Sequence, residues 1–69
     1  MKQRRKKFEQ FLKTKYAGET MTYISRVLDI SSSYLYMLIA GTCTPTMRLK
    51  RSMAENMRIS VKKLEELLK

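Results

Sequence analysis

Thr20-Met21-Thr22-Tyr23-Ile24-Ser25-Arg26-Val27-Leu28-Asp29-Ile30-Ser31, continuing through Ser32-Ser33-Tyr34-Leu35-Tyr36-Met37-Leu38-Ile39-Ala40-Gly41, is the stretch whose reading decides the fold. It predicts two short helices joined by a tight turn. Thr20 is a good N-cap for the first, over about residues 21–28, with Ile24, Val27 and Leu28 on its inner face. Ser25 is small and allows a second helix to approach closely. Asp29 stands where the turn needs a positive φ, which Asp tolerates better than most residues. Ile30 plugs the turn into the core, Ser31 caps the next helix, and Gly41 ends it. Leu35 and Leu38 are the inward pair of that helix.

Outward from this pair the chain stays helical. Phe8, Phe11, Leu12 and Lys15/Tyr16 recur at helical spacing and predict a first helix over about residues 3–16, ended near Gly18. After a short loop, Thr44 as N-cap and Pro45 at the first helical position start a fourth helix, to about residue 57. It buries Met47 or Leu49, then Met53, Ala54 and Met57. Ile59 points inward from a turn, and Ser60 caps a fifth helix over about residues 61–68 with Leu64, Leu67 and Leu68 apolar. With 69 residues, 2 glycines and 1 proline, the chain is read as one all-α domain, residues 1–69. The basic arm and first helix take up about residues 1–17, the helix pair 20–41, and the last two helices 45–68.

Charge divides the chain into three parts. The formal net charge is +9. Residues 1–20 carry Lys2, Arg4, Arg5, Lys6, Lys7, Lys13 and Lys15 against Glu9 and Glu19, for +5. Residues 21–44 carry only Arg26 and Asp29 and are neutral, and residues 45–69 contribute +4. A neutral helix pair between basic flanks suits phosphate attraction from the flanks and base contact from the middle. Other functions lack their residues. There is no histidine, no glycine-rich phosphate loop, and the single Cys43 has no base partner, so neither an enzyme nor a zinc site is expected. No cofactor or small-molecule ligand is expected. No apolar run approaches the roughly 18 residues that span a bilayer, and no apolar segment follows the basic start, so no membrane or secretion role is expected. The lone thiol fits a cytoplasmic setting.

Over residues 20–68 the sequence resembles the phage Cro and repressor (Xre-like) family of helix-turn-helix domains. The resemblance rests on Thr20, Ile24-Ser25, Leu28-Asp29-Ile30-Ser31, Ser33-Tyr34-Leu35, Leu38, the Gly41/Pro45 spacing, Met53-Ala54, Met57, Ile59-Ser60 and Leu64. It implies a compact five-helix, lambda-repressor-like bundle. The second helix would lie over the DNA backbone and the third would enter the major groove of double-stranded DNA. The reading positions then fall on Ser32, Ser33, Tyr36 and Met37. Phosphate contacts fall to Arg4 and Arg5 in the arm, Thr20, Thr22 and Ser31 at the helix starts, and Thr42, Thr44 and Arg48 beyond the third helix.

Two departures weaken sharp readout. Met21 stands where the family commonly has a phosphate-gripping Gln, and no Gln, Arg or Asn appears at the reading positions. The bidentate base contacts worth roughly 1–3 kcal/mol each are therefore missing. Specificity would be modest, or would come from DNA shape and the basic arm. Alternatively, the apolar Tyr34, Tyr36, Met37 and Ile39 serve a host protein such as the transcription machinery. An architectural or excision factor that bends DNA is a further reading. A homodimer is expected from half-site geometry. Leu67 and Leu68, left near the surface, would form its contact, unless both finish the core against the first helix.

Overall fold

A computed structural model describes residues 3–69 of the chain; Met1 and Lys2 of the basic arm lie outside the described residues. Five helices follow one another: α1 (Lys6–Lys15), α2 (Met21–Val27), α3 (Ser32–Ala40), α4 (Met47–Met57) and α5 (Val61–Leu67). No strand occurs among the described residues. The radius of gyration, 10.9 Å, is that of a folded chain of this length.

The helix starts follow from hydroxyl side chains. Thr20, Ser31, Thr46 and Ser60 each accept a hydrogen bond from the backbone N–H three residues on, at 3.0–3.2 Å. Each satisfies one of the donors a helix N-terminus leaves unpaired. The first and fourth helices begin later than the sequence suggests. α1 starts at Lys6 rather than near residue 3 and has no side-chain cap. Thr46, not Thr44, caps α4, and Pro45 precedes the cap instead of opening the helix. That register lets the Pro45 ring be buried, which the helix's first exposed turn would not. It also settles the choice at the start of α4: Leu49 is half-buried and Met47 is exposed.

Three helix ends share one closure. Asp29, Gly41 and Arg58 have φ of 59°, 79° and 59°. In each case the next backbone N–H bonds back five residues: Ile30 to Ser25, Thr42 to Met37 and Ile59 to Ala54, at 3.0–3.1 Å. This is the left-handed helix stop that caps orphan carbonyls. In two of the three, the residue after the stop is an isoleucine packed on the core, Ile30 and Ile59. The turn between α2 and α3 is thus fixed at both ends, by the Asp29 stop and the Ser31 cap.

One core holds the helices together. Phe8 and Leu12 of α1, Ile24 of α2, Leu35, Leu38 and Ile39 of α3, Met53 and Met57 of α4, and Leu64 of α5 are buried in it. α2 packs on α3, α1 on both α3 and α5, and α4 on α5. Ser25 is buried where α2 turns inward, and its hydroxyl donates to the Thr22 carbonyl at 2.7 Å. Leu67 and Leu68 belong to the same core. Each is only 8% exposed, so the expectation that they lie near the surface is corrected. Both pack in the cluster that α1 and α5 share, and only an edge of Leu67 reaches the surface.

Candidate nucleic-acid interface

α3 has a buried side and an open side, and the helical period separates them. Leu35, Leu38 and Ile39 fill the first. Ser33, Tyr36 and Met37, at i, i+3 and i+4, stand on the second. Tyr36 is 56% exposed and Met37 45%. Neither belongs to the core cluster or packs against it, and large side chains left this open are available to a ligand. Of the four reading positions, only Ser32 is half-buried. Tyr34 lies on the packing edge. Burial pushes its phenol above the usual value, and the neighbouring Cys43 adds to that.

The hydroxyls around α3 are mostly engaged by the chain itself. Ser31 and Thr20 are exposed, yet each oxygen already accepts a helix-start N–H. Thr42 donates its hydroxyl proton to the Met37 carbonyl at 3.2 Å. Thr22 and Thr44 are exposed, and Thr44 is released from the capping role assigned to it. Arg48, exposed on the first turn of α4, stands outside the ion pairs formed among the described residues. Thr22, Thr44 and Arg48 therefore keep free the groups a phosphate contact needs, and the Thr20 and Ser31 hydroxyls, which only accept here, keep their own protons to donate; of these hydroxyls Thr42 alone has given its proton to the chain.

The two arginines of the arm do not. Arg5 was expected on phosphate; its guanidinium instead binds three backbone carbonyls. Nε donates to Leu68 at 2.9 Å, and a terminal nitrogen donates to Leu38 at 2.8 Å and to Cys43 at 2.7 Å. The Arg5 N–H adds a bond to the Ile39 carbonyl at 2.7 Å. The Leu38 and Leu68 carbonyls sit at the C-terminal ends of α3 and α5, where spare acceptor capacity and the helix dipole both favour a cation, and the Cys43 carbonyl lies in the loop after α3. Arg5 thus ties the arm to both helix ends, and the phosphate role assigned to it is corrected. Nothing local predicts this, because the partners lie 33 to 63 positions away along the chain. Arg4 remains exposed but forms a bidentate pair with Glu9. The Arg4 hydrogen bond holds the Glu9 carboxyl below the usual carboxylate range, against the opposing effect of its partial burial.

Two exposed apolar side chains escaped the sequence reading. Tyr23 on α2 and Met47 at the start of α4 are as open as Met37. For Tyr23 the signal was present, since it lies off the Ile24, Val27 and Leu28 face of α2. For Met47 it was not, since the reading left the inward choice open between it and Leu49. Among the described residues no helix is long and apolar enough to cross a membrane. No family model matches the chain, and no curated protein or solved structure does either.

Proposed function

We propose that α2, its turn and α3 form a helix-turn-helix, and that the protein is a double-stranded DNA-binding transcriptional regulator of phage or mobile-element type. The observation that carries this is the open face of α3. Its Ser33, Tyr36 and Met37 are uncharged and uncovered, on a chain whose net charge is +9. A short helix with one free face, held at a fixed turn to a preceding helix, is the element such proteins insert in the major groove. Ser33 can donate to or accept from either base class, Met37 offers apolar contact to a thymine methyl, and Tyr36 combines an apolar ring with a hydroxyl. Thr44 and Arg48 supply phosphate contacts next to α3. With no Arg, Gln or Asn on that face, discrimination among sequences is modest and affinity is mostly electrostatic.

A rival reading has a specific observation behind it. Tyr23, Tyr36 and Met37 are the side-chain types that anchor protein interfaces, and α3 would then dock on a host protein. Selection of bound duplexes from a random pool, at low and moderate salt, separates the two. Enrichment of a short, degenerate motif at both salts supports the regulator. Binding with no enrichment indicates an architectural role, and no duplex binding at either salt leaves the protein-docking reading.

A further inference from the structure

The side of the molecule formed by α1 and α5 carries a shallow depression of about 560 Å³, lined by Lys6, Lys7, Gln10, Phe11, Thr14 and Leu67. It shares no residue with the open face of α3. Its floor is apolar: the half-buried Phe11 ring and the edge of Leu67. Its rim is cationic. The Lys63 ammonium stands 5.7 Å from the centre of the Phe11 ring. A second depression, of about 470 Å³, shares Lys6 and Lys7 and continues the surface past Gln3, Arg4 and Lys69. No acidic side chain lines either one. Two carboxylates stand one position from a lining residue: Glu9 is held by Arg4 and Lys13, and Glu66 pairs with Lys69 at 3.4 Å, which leaves Lys6 and Lys7 as the unpaired cations among the lining residues.

We propose that this groove docks an acidic, amphipathic segment of a partner protein. One bulky apolar side chain seats on Phe11 and Leu67, and carboxylates on either side of it meet Lys6, Lys7 and Lys63. Charge complementarity selects this occupant. A second copy docking groove to groove would bring the same cations and be repelled, and its neutral α2–α3 face has no carboxylates to offer the lysines beyond the single Asp29. Single-stranded nucleic acid would match the charge, but successive bases stack on successive aromatic faces, and Phe11 is the one aromatic side chain among the residues lining the two depressions. An apolar floor inside a ring of lysines instead matches the anchor-and-rim layout of peptide grooves.

Fluorescence anisotropy with the full chain tests this. The probe is a labelled peptide of about twelve residues, rich in Glu and Asp with one Leu and one Phe four positions apart, the spacing of helix-in-groove anchors. The first control replaces that Leu and Phe by Ser, and the second is an oligothymidylate of the same length. The apolar peptide should bind about tenfold more tightly than its serine control, the ratio that burying one anchor side chain supports. Lys7→Glu and Thr14→Glu, both at exposed positions, should each weaken the apolar peptide about fivefold or more while leaving helical content unchanged. Phe11→Ala should abolish the difference between the two peptides, with circular dichroism checking that the domain still folds. Equal binding of the two peptides would overturn the proposal, because charge alone would then suffice. So would oligothymidylate binding as tightly as the apolar peptide, or no response to either rim substitution.

Discussion

The basic arm and the outer face of α3 make opposite use of their side chains. Arg4 and Arg5 look in the sequence like free cations awaiting a phosphate. In the folded chain Arg5 is closed onto three carbonyls and Arg4 onto Glu9. Ser33, Tyr36 and Met37 carry no charge and form no part of the core. Charge therefore marks where the fold is fastened as often as where a ligand lands. What identifies a contact surface is the group left over after the chain's own carbonyls, helix ends and core have been satisfied.

The largest effect belongs to the fastened side. Arg5→Ala removes the guanidinium from the Leu38 and Leu68 carbonyls at two helix ends and from the Cys43 carbonyl in the loop, and should lower stability by about 3 kcal/mol, as loss of a charged, partly buried hydrogen-bond network does. Arg5→Lys keeps the charge but not the planar fork and should recover only part of the loss. Urea denaturation would report both. A loss under about 1 kcal/mol for Arg5→Ala, the range of an exposed charge, would break the comparison by returning Arg5 to the surface.

A smaller loss comes from the place where the arm crosses α3. A Cβ at Gly41 would lie 1.9 Å from the Gln3 carbonyl oxygen, at a φ of +79°. At Gly18 the φ is +84° and nothing lies within 4 Å. Gly18→Ala should thus cost about 1 kcal/mol for backbone conformation alone. Gly41→Ala should cost about 1 kcal/mol more, since the arm must also move aside. Equal losses in thermal melts would show that the arm does not press on α3.

On the open face, Tyr36→Ala should change stability by less than about 0.5 kcal/mol. Duplex binding should weaken by about 1 kcal/mol, roughly fivefold, in an anisotropy titration. A large stability loss with unchanged DNA binding would make Tyr36 a core residue and invert the comparison.

The smallest effect is that of the Arg4–Glu9 pair. The Glu9 pKa is lowered in the folded chain, so its contribution is present above the free glutamate value of about 4.3 and is lost as pH falls through the lowered folded value. Glu9→Gln should reduce stability slightly at neutral pH, and the difference from the parent chain should close in acid. A difference that does not narrow as the pH falls below the free glutamate value would remove the ion pair from the account.

The helices were legible in the sequence because their signals are local. Thr20, Ser31 and Ser60 each sit directly before an apolar period, and Asp29 and Gly41 sit where a helix must stop. Arg58 was missed as a left-handed stop because arginine has no conformational preference that announces it; the stop is imposed by Ile59 seating in the core. Leu67 and Leu68 were misplaced because an apolar residue at a chain end looks the same whether a partner or α1 covers it. The open face of α3 was legible from its period. The engagement of Arg5 was not, since it depends on helix ends brought together only by the tertiary fold.

The central claim, that the open face of α3 meets double-stranded DNA, is tested most directly by following the backbone amide signals of isotope-labelled protein by NMR during titration with a duplex taken from the random-pool selection. The account predicts that Ser33, Tyr36 and Met37 shift most, with Thr44 and Arg48 next, while the signals of Lys7, Thr14 and Lys63 stay in place. Shifts confined to α1 and α5, or none as duplex is added to saturation, would contradict it.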